Sequence, residues 1–150
     1  MRHQIEVSKV VAATPEQVYA VVSDLPSMGR FSPENTGGRW VKGATGPAVG
    51  AKFEGTNALG WKKWKTLATV TAAQPGTVFA FDVVAAGCKV AGWGFAMEPV
   101  DGGTNVTHFW DDHRNPVMAK LTGLALGVKD RAVHNQANMQ RTLDGIADTL

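Results

Sequence analysis

The sequence predicts an α+β fold: a curved, seven-stranded antiparallel sheet wrapped around a long C-terminal helix, with two short helices between strands 1 and 2. Three observations carry this. All five tryptophans and all six phenylalanines lie between Phe31 and Trp110, and residues 111–150 contain no Phe, Tyr or Trp. The aromatic stretch breaks into alternating runs joined by short turns, the pattern of an antiparallel meander. The ring-free tail carries its apolar residues at helical spacing. A curved sheet that holds a helix leaves room between the two, and rings line such a room.

The first strand is expected over residues 4–12, a loosely alternating run rich in Val and Ile. Thr14-Pro15-Glu16-Gln17 then starts a helix: Thr14 caps, Pro15 suits the first helical position, and Gln17 completes a capping box. Val18, Val21 and Val22 share a face, and Asp24-Leu25-Pro26 ends the helix because the residue before proline resists the helical region. A further turn is expected from Ser27 to Phe31, then a loop over Ser32–Gly38. The remaining strands are read at Arg39–Lys42, Ala51–Ala58, Lys63–Ala73, Thr77–Val84, Lys89–Glu98 and Thr104–Asp112. Their turns are Gly43–Gly50, Leu59-Gly60-Trp61, Pro75-Gly76, Ala86-Gly87 and Asp101-Gly102-Gly103, the last being the clearest hairpin signal.

Asn115-Pro116 opens the final element, with Asn as cap and Pro at the first helical position. At 100° per residue, Leu121, Ala125, Val128, Ala132, Asn135, Met139, Leu143, Ile146 and Leu150 fall within roughly 40° of one line. Lys129, Arg131, Arg141 and Asp144 lie outside that stripe or at its margin. Gly123 and Gly127 predict a bend or break in its first part.

Strand alternation sorts the side chains by face. Lys63 and Lys65 share a face that solvent claims, so Trp64, Thr66, Ala68 and Val70 point inward. Phe79, Phe81 and Val83 form one face of the next strand; Trp93, Phe95 and Met97 one face of the following strand, opposite Gly92, Gly94 and Ala96. Val106, His108, Trp110 and Asp112 share a face, as do Phe53, Gly55 and Asn57. The inner face is thus aromatic, with few polar groups. Any one ring on it is most simply core; together, opposite a helix of small residues, they fit the wall of an apolar pocket.

A chain of 150 residues reads as a single domain over 1–150, with no internal repeat or linker. The net charge of +2 is too small to argue for nucleic acid or an acidic membrane surface. No apolar stretch approaches the roughly 20 residues that span a bilayer, so no stable membrane insertion is expected. Cys88 is the only cysteine, which excludes an internal disulfide. Met1 to Glu6 runs straight into alternation without a signal-peptide core, and a cytoplasmic location is expected. Composition leaves monomer and homodimer both open.

Several local patterns point beyond this reading to a known group. These are Ala13-Thr14-Pro15-Glu16-Gln17-Val18-Tyr19 followed by Val22-Ser23-Asp24-Leu25-Pro26, and Arg30-Phe31-Ser32-Pro33-Glu34. Further on come Gly50-Ala51-Lys52-Phe53-Glu54-Gly55, Pro75-Gly76-Thr77-Val78-Phe79-Ala80-Phe81 and Gly102-Gly103-Thr104-Asn105-Val106-Thr107. In these motifs and in element order the whole chain resembles the helix-grip fold of the START-like superfamily. Within it the chain looks most like the bacterial polyketide cyclase/dehydrase and lipid-transport (SRPBCC) family. The resemblance implies a deep pocket between sheet and C-terminal helix that takes a hydrophobic molecule. Its relatives range over lipid and sterol carriers, plant hormone and pollen-allergen pockets, aromatase/cyclases and co-chaperone-like modules. A shared fold does not transfer a function, and no equivalent of a cyclase's catalytic set stands out here.

His108 is the candidate acid or base, since an inward imidazole titrates near neutrality, and Asp112 on the same face could orient it through water. A satisfied structural histidine is the simpler alternative. His108-Phe109-Trp110-Asp111-Asp112-His113 has the residue types of a metal site, but alternation sends His108 and Asp112 one way and Asp111 and His113 the other, so no metal is expected. Trp61-Lys62-Lys63-Trp64-Lys65 interleaves basic and aromatic residues, yet alternation splits them between faces and argues against nucleic acid. Gly43–Gly50 lacks the Lys-Ser/Thr ending of a phosphate loop, and no cofactor is expected.

The expected function is therefore binding of a small hydrophobic molecule: a lipid, fatty acid or polyketide-like compound. Trp40, Phe53, Trp64, Phe81, Trp93, Phe95, Trp110 and Met139 supply apolar wall in this reading, while Asn57, His108 and Asn135 contact a polar end. The alternatives are a cyclase or dehydratase that uses His108 as proton shuttle, and an interaction or regulatory module with a collapsed pocket.

Overall fold

The computed structural model describes residues 3–85, 87–128 and 130–150. Ala86 of the expected Ala86-Gly87 turn, Lys129 of the helical tail, Met1 and Arg2 lie outside the described residues.

In chain order the elements are β1 (Ile5–Val11), α1 (Pro15–Val22), a 3₁₀ turn (Leu25–Arg30), β2 (Asn35–Val41), β3 (Lys52–Leu59), β4 (Lys62–Gln74), β5 (Val78–Ala85), β6 (Cys88–Val100), β7 (Gly103–Asp112), α2 (Pro116–Leu126) and α3 (Arg131–Thr149). The strands form one seven-stranded sheet, ordered β1-β7-β6-β5-β4-β3-β2, with every pairing antiparallel. Strands β2 to β7 are a meander. β1 lies beside the last strand, so α1 and the 3₁₀ turn carry the chain across to the far edge. Register shifts at Asn35/Gly37, Val70/Ala72 and Val83/Val84 bend the sheet locally.

The capping box forms as read: Gln17 N–H donates to Thr14 Oγ1 at 3.1 Å and Thr14 N–H to Gln17 Oε1 at 2.8 Å. The hairpin at Asp101-Gly102 needs glycine at Gly103, whose φ is +153° and whose missing Cβ would sit 1.9 Å from the Val11 carbonyl oxygen.

Two expectations are corrected. The stretch expected as loop over Ser32–Gly38 already enters the sheet at Asn35. Asn and Gly disfavour strands intrinsically, but Gly38 lets the Phe53 ring lie over the backbone, and Thr36 and Thr56 hydroxyls bond across the strands at 2.8 Å. The helical tail breaks into two helices near the glycines, as expected, but the single apolar stripe drawn through it is corrected. Gly127, in the left-handed region at φ +72°, ends α2, and Asp130 caps α3 by accepting from Val133 N–H at 3.2 Å. The helical phase therefore does not carry across the break. Leu121, placed in the stripe by the sequence, is 61% exposed; Leu150, beyond the last turn of α3, is 37% exposed.

In α3 the stripe holds. Asn135, Met139, Thr142, Leu143 and Ile146 are buried against the sheet. Near the ends of the strands closest to α1, Val18 and Val22 from α1 and Leu143 and Ile146 from α3 meet Val11, Val70, Phe79, Met97 and Val106 in a dense core. Toward the opposite ends of the same strands the sheet and α3 diverge.

Candidate functional site

The divergence leaves a cavity of about 420 Å³. Its floor is the inner face of β3 to β7: Phe53 and Asn57, Trp64 and Thr66, Phe81 and Val83, Trp93 and Phe95, His108 and Trp110. Its roof is α3, through Arg131, Asn135, Asn138, Met139 and Thr142. Leu25, Met28 and Glu34 close one side, and Arg114, Thr122 and Ala125 the side toward α2. Alternation explains the floor: each strand sends every second side chain inward, and those side chains are mostly rings.

The structure thus brings together ten residues singled out from the sequence: Phe53, Asn57, Trp64, Phe81, Trp93, Phe95, His108, Trp110, Asn135 and Met139. Trp40 is not among the lining residues. It pairs with Phe53 across β2 and β3, on the same face of the sheet, and packs edge-on against that ring at 5.3 Å between centroids. Trp61 is 87% exposed at the β3–β4 turn, while Trp64 points into the cavity with the neighbouring lysines outside.

His108 is buried, with its ring stacked on Phe95 at 3.9 Å between centroids and 2° between planes. Its Nδ1 lies 2.8 Å from the carbonyl oxygen of Gly94. Burial pushes its pKa down to about 4, only partly offset by that hydrogen bond. This corrects the expectation of a group that titrates near neutrality: the ring is neutral at pH 7. Asp112 does not orient it. Arg114 forks onto the Asp112 carboxylate, Nε to Oδ1 at 2.9 Å and Nη2 to Oδ2 at 2.7 Å, and donates from Nη1 to Thr122 at 2.8 Å. Burial raises the Asp112 carboxyl, but the hydrogen bonds and charge of Arg114 outweigh it and hold the group below its ordinary value.

A second polar cluster joins the start of α3 to the segment before β2. Arg131 Nη1 donates to Glu34 at 2.8 Å, His134 Nε2 lies 3.0 Å from the same oxygen, and Arg131 reaches Asn135 Oδ1 at 3.4 Å. Arg114, Arg131 and Glu34 were not singled out from the sequence. For Arg131 a signal existed, because it stands four residues before Asn135 on the helix; for Glu34, in a stretch read as loop, there was none. Asn57 donates to Thr66 Oγ1 at 3.3 Å. Among the described residues no three His, Cys, Asp or Glu side chains converge as a metal would require. No described helix is long and apolar enough to cross a membrane.

A seven-stranded antiparallel sheet closed by a C-terminal helix over a ring-lined cavity defines a helix-grip domain with an internal pocket. The comparisons with known proteins place it further. The family model described as polyketide cyclase / dehydrase and lipid transport matches residues 2–150, and the chain belongs to that family. It is similar to the polyketide-cyclase-like protein Cgl2372 of Corynebacterium glutamicum, at 30% identity over 97% of this chain and 89% of that one, with a TM-score of 0.65. Protein CV1439 of Chromobacterium violaceum shares the fold at 12% identity, TM-score 0.72, over 98% of this chain and 96% of the other. So does the di-domain aromatase/cyclase StfQ of the steffimycin biosynthetic pathway, at 12% identity and TM-score 0.74; the match takes in 96% of this chain and 49% of StfQ. No curated protein matches in sequence.

Proposed function

We propose that this protein binds a small hydrophobic molecule, a lipid, fatty acid or polyketide-like compound, in the cavity between the sheet and α3, and does so in the cytoplasm. The observation that carries the reading is the hollow of about 420 Å³ walled by Trp64, Phe81, Trp93, Phe95, Trp110 and Met139. Ligand burial against such a wall supplies about 25 cal/mol per Å² of apolar area, which dominates affinity. An open cavity favours this reading over an interaction module with a collapsed pocket. A proton shuttle through His108 gains no support from an imidazole whose pKa lies near 4. Membership of a family described by lipid transport as well as cyclisation fits either a carrier or a binder. A single, exposed cysteine suits a reducing compartment.

The test is mass spectrometry of protein purified without delipidation, joined to titration of tryptophan fluorescence, since Trp64, Trp93 and Trp110 line the wall. A co-purified apolar molecule, or saturable quenching or enhancement, is expected. Absence of both across a broad panel of lipids and aromatic compounds overturns the reading.

A further inference from the structure

The polar groups of the cavity are not equivalent. Several are paired with one another, while the indole N–H groups of Trp64, Trp93 and Trp110 and the side chain of Asn138 have no hydrogen-bond partner among the described residues. Asn57 donates to Thr66, and Asn135 accepts from Arg131. The charges of Arg114 and Arg131 are matched by Asp112 and Glu34. His108 differs. A carbonyl oxygen only accepts, so the 2.8 Å contact with Gly94 requires that Nδ1 carry the hydrogen. A neutral imidazole with hydrogen on Nδ1 has a bare lone pair on Nε2. Burial keeps the ring in that neutral form. Stacking on Phe95 at 3.9 Å, with Trp93 at 5.6 Å, fixes its plane. Nε2 has no hydrogen-bond partner among the described residues, yet no buried side-chain nitrogen or oxygen there is both sealed off and unpaired. His108 lines the cavity, so the free edge of the ring opens on the hollow.

We propose that the cavity selects ligands that carry a hydroxyl donor, a phenol or alcohol on an apolar body, and that His108 Nε2 is the atom that accepts it. This rests on the cavity-binding reading above and narrows it. A lone pair facing an apolar chamber is an unmet acceptor, and a donor that meets it recovers the cost of its isolation. A carboxylate or ketone brings only lone pairs and sets them against that of Nε2. Fatty acids in their ionised form are therefore poor ligands, and hydroxylated aromatics or long-chain alcohols good ones. The neighbouring rings of Phe95, Trp93 and Trp110 favour a flat body beside the hydroxyl.

Calorimetric or fluorescence titration with naphthalene, 2-naphthol and 2-naphthoate tests this. After each ligand's own water–octanol partition is taken out, 2-naphthol is expected to bind roughly three- to tenfold tighter than naphthalene, the range of one net hydrogen bond. Naphthoate is expected to bind no better than naphthalene. In His108→Phe, which keeps a ring to stack on Phe95, the preference for naphthol falls to about one. Long-range proton–nitrogen NMR of the histidine side chains in the unaltered protein gives a check that needs no folded variant. It is expected to show His108 with hydrogen on Nδ1 and its Nε2 resonance moving when 2-naphthol is added. Equal binding of naphthol and naphthalene, tighter binding of naphthoate, or hydrogen on Nε2 overturns the hydroxyl inference alone. If none of the three ligands binds, the hydroxyl inference falls; the cavity reading falls with it when the broad panel of lipids and aromatic compounds also fails to bind.

Discussion

Phe79 and Phe81 are two residues apart on β5, point the same way, and have ring centroids 5.8 Å apart. Phe79 is fully buried, with Tyr19 of α1 edge-on at 6.1 Å. Phe81 keeps one side open to the cavity. The same contrast holds on β6 between Met97 and Trp93, where Met97 is core and Trp93 wall. What differs is the roof. Over the filled half lie α1 and the middle and end of α3, with Val18, Val22, Leu143 and Ile146 reaching down. Over the hollow half lies one face of the first two thirds of α3, where Asn135, Asn138 and Thr142 flank Met139, the one large apolar residue of the roof. The helix, more than the sheet, decides where this protein is solid and where it has room.

That contrast can be tested by substitutions on either side of the boundary. The largest effect is expected from Phe79→Ala. It deletes a fully buried ring and should cost about 3–5 kcal/mol of stability, read from denaturant unfolding. Next comes a pH effect at the boundary residue itself. His108 has a folded pKa of about 4 against 6.5 for the free side chain. Between those values the unfolded chain binds more protons, so stability is full above pH 6.5 and is lost as pH falls toward 4. The loss amounts to about 3 kcal/mol. Unfolding measured at pH 7 and pH 4.5 should show the loss in the natural protein and a smaller one in His108→Phe.

On the hollow side, Phe81→Leu should lower stability by only about 1 kcal/mol while weakening an apolar ligand several-fold. Equal losses at Phe79 and Phe81 would erase the distinction between the halves. Arg131→Gln should cost about 1 kcal/mol, because Glu34 keeps His134 as a partner; thermal unfolding with added salt reads it. The smallest effect belongs to α2. Its Val117, Leu121 and Leu124 are exposed, and Leu121→Ser should change stability by no more than about 0.5 kcal/mol.

The sheet was legible because its signals are local. Alternation at Trp64, Phe81, Trp93 and His108 gave each residue its face, and turn glycines such as Gly103 gave the strand limits. The capping residues Thr14 and Asn115 marked helix starts for the same reason: a cap acts within three positions of itself. What was not legible depends on distance in the chain. Arg131 and Glu34 are 97 residues apart, and nothing near either one announces the pair. Asp112 looked available to His108 from strand parity, but Arg114, two residues on, turns back and takes the carboxylate. Asn35 to Gly38 has the composition of a loop and becomes a strand because β3 offers an edge and Phe53 a ring to cover the glycine. The titration range of His108 followed from burial, which parity alone does not measure.

Parity has one further consequence. On β7 the even-numbered residues Thr104, Val106, His108 and Trp110 face α3, and Phe109 lies on the convex side, over Gly94 and against the ring of His3 at 3.9 Å. A single residue inserted after the hairpin would exchange the two sets. The hollow would receive Thr107 in place of His108 and Phe109 in place of Trp110, and the outer surface an imidazole and an indole. The cavity would keep a ring where Trp110 stood and lose the imidazole acceptor of His108. The place of that imidazole is thus written in an odd-or-even count along one strand, which makes an insertion in β7 far more consequential than most substitutions within it.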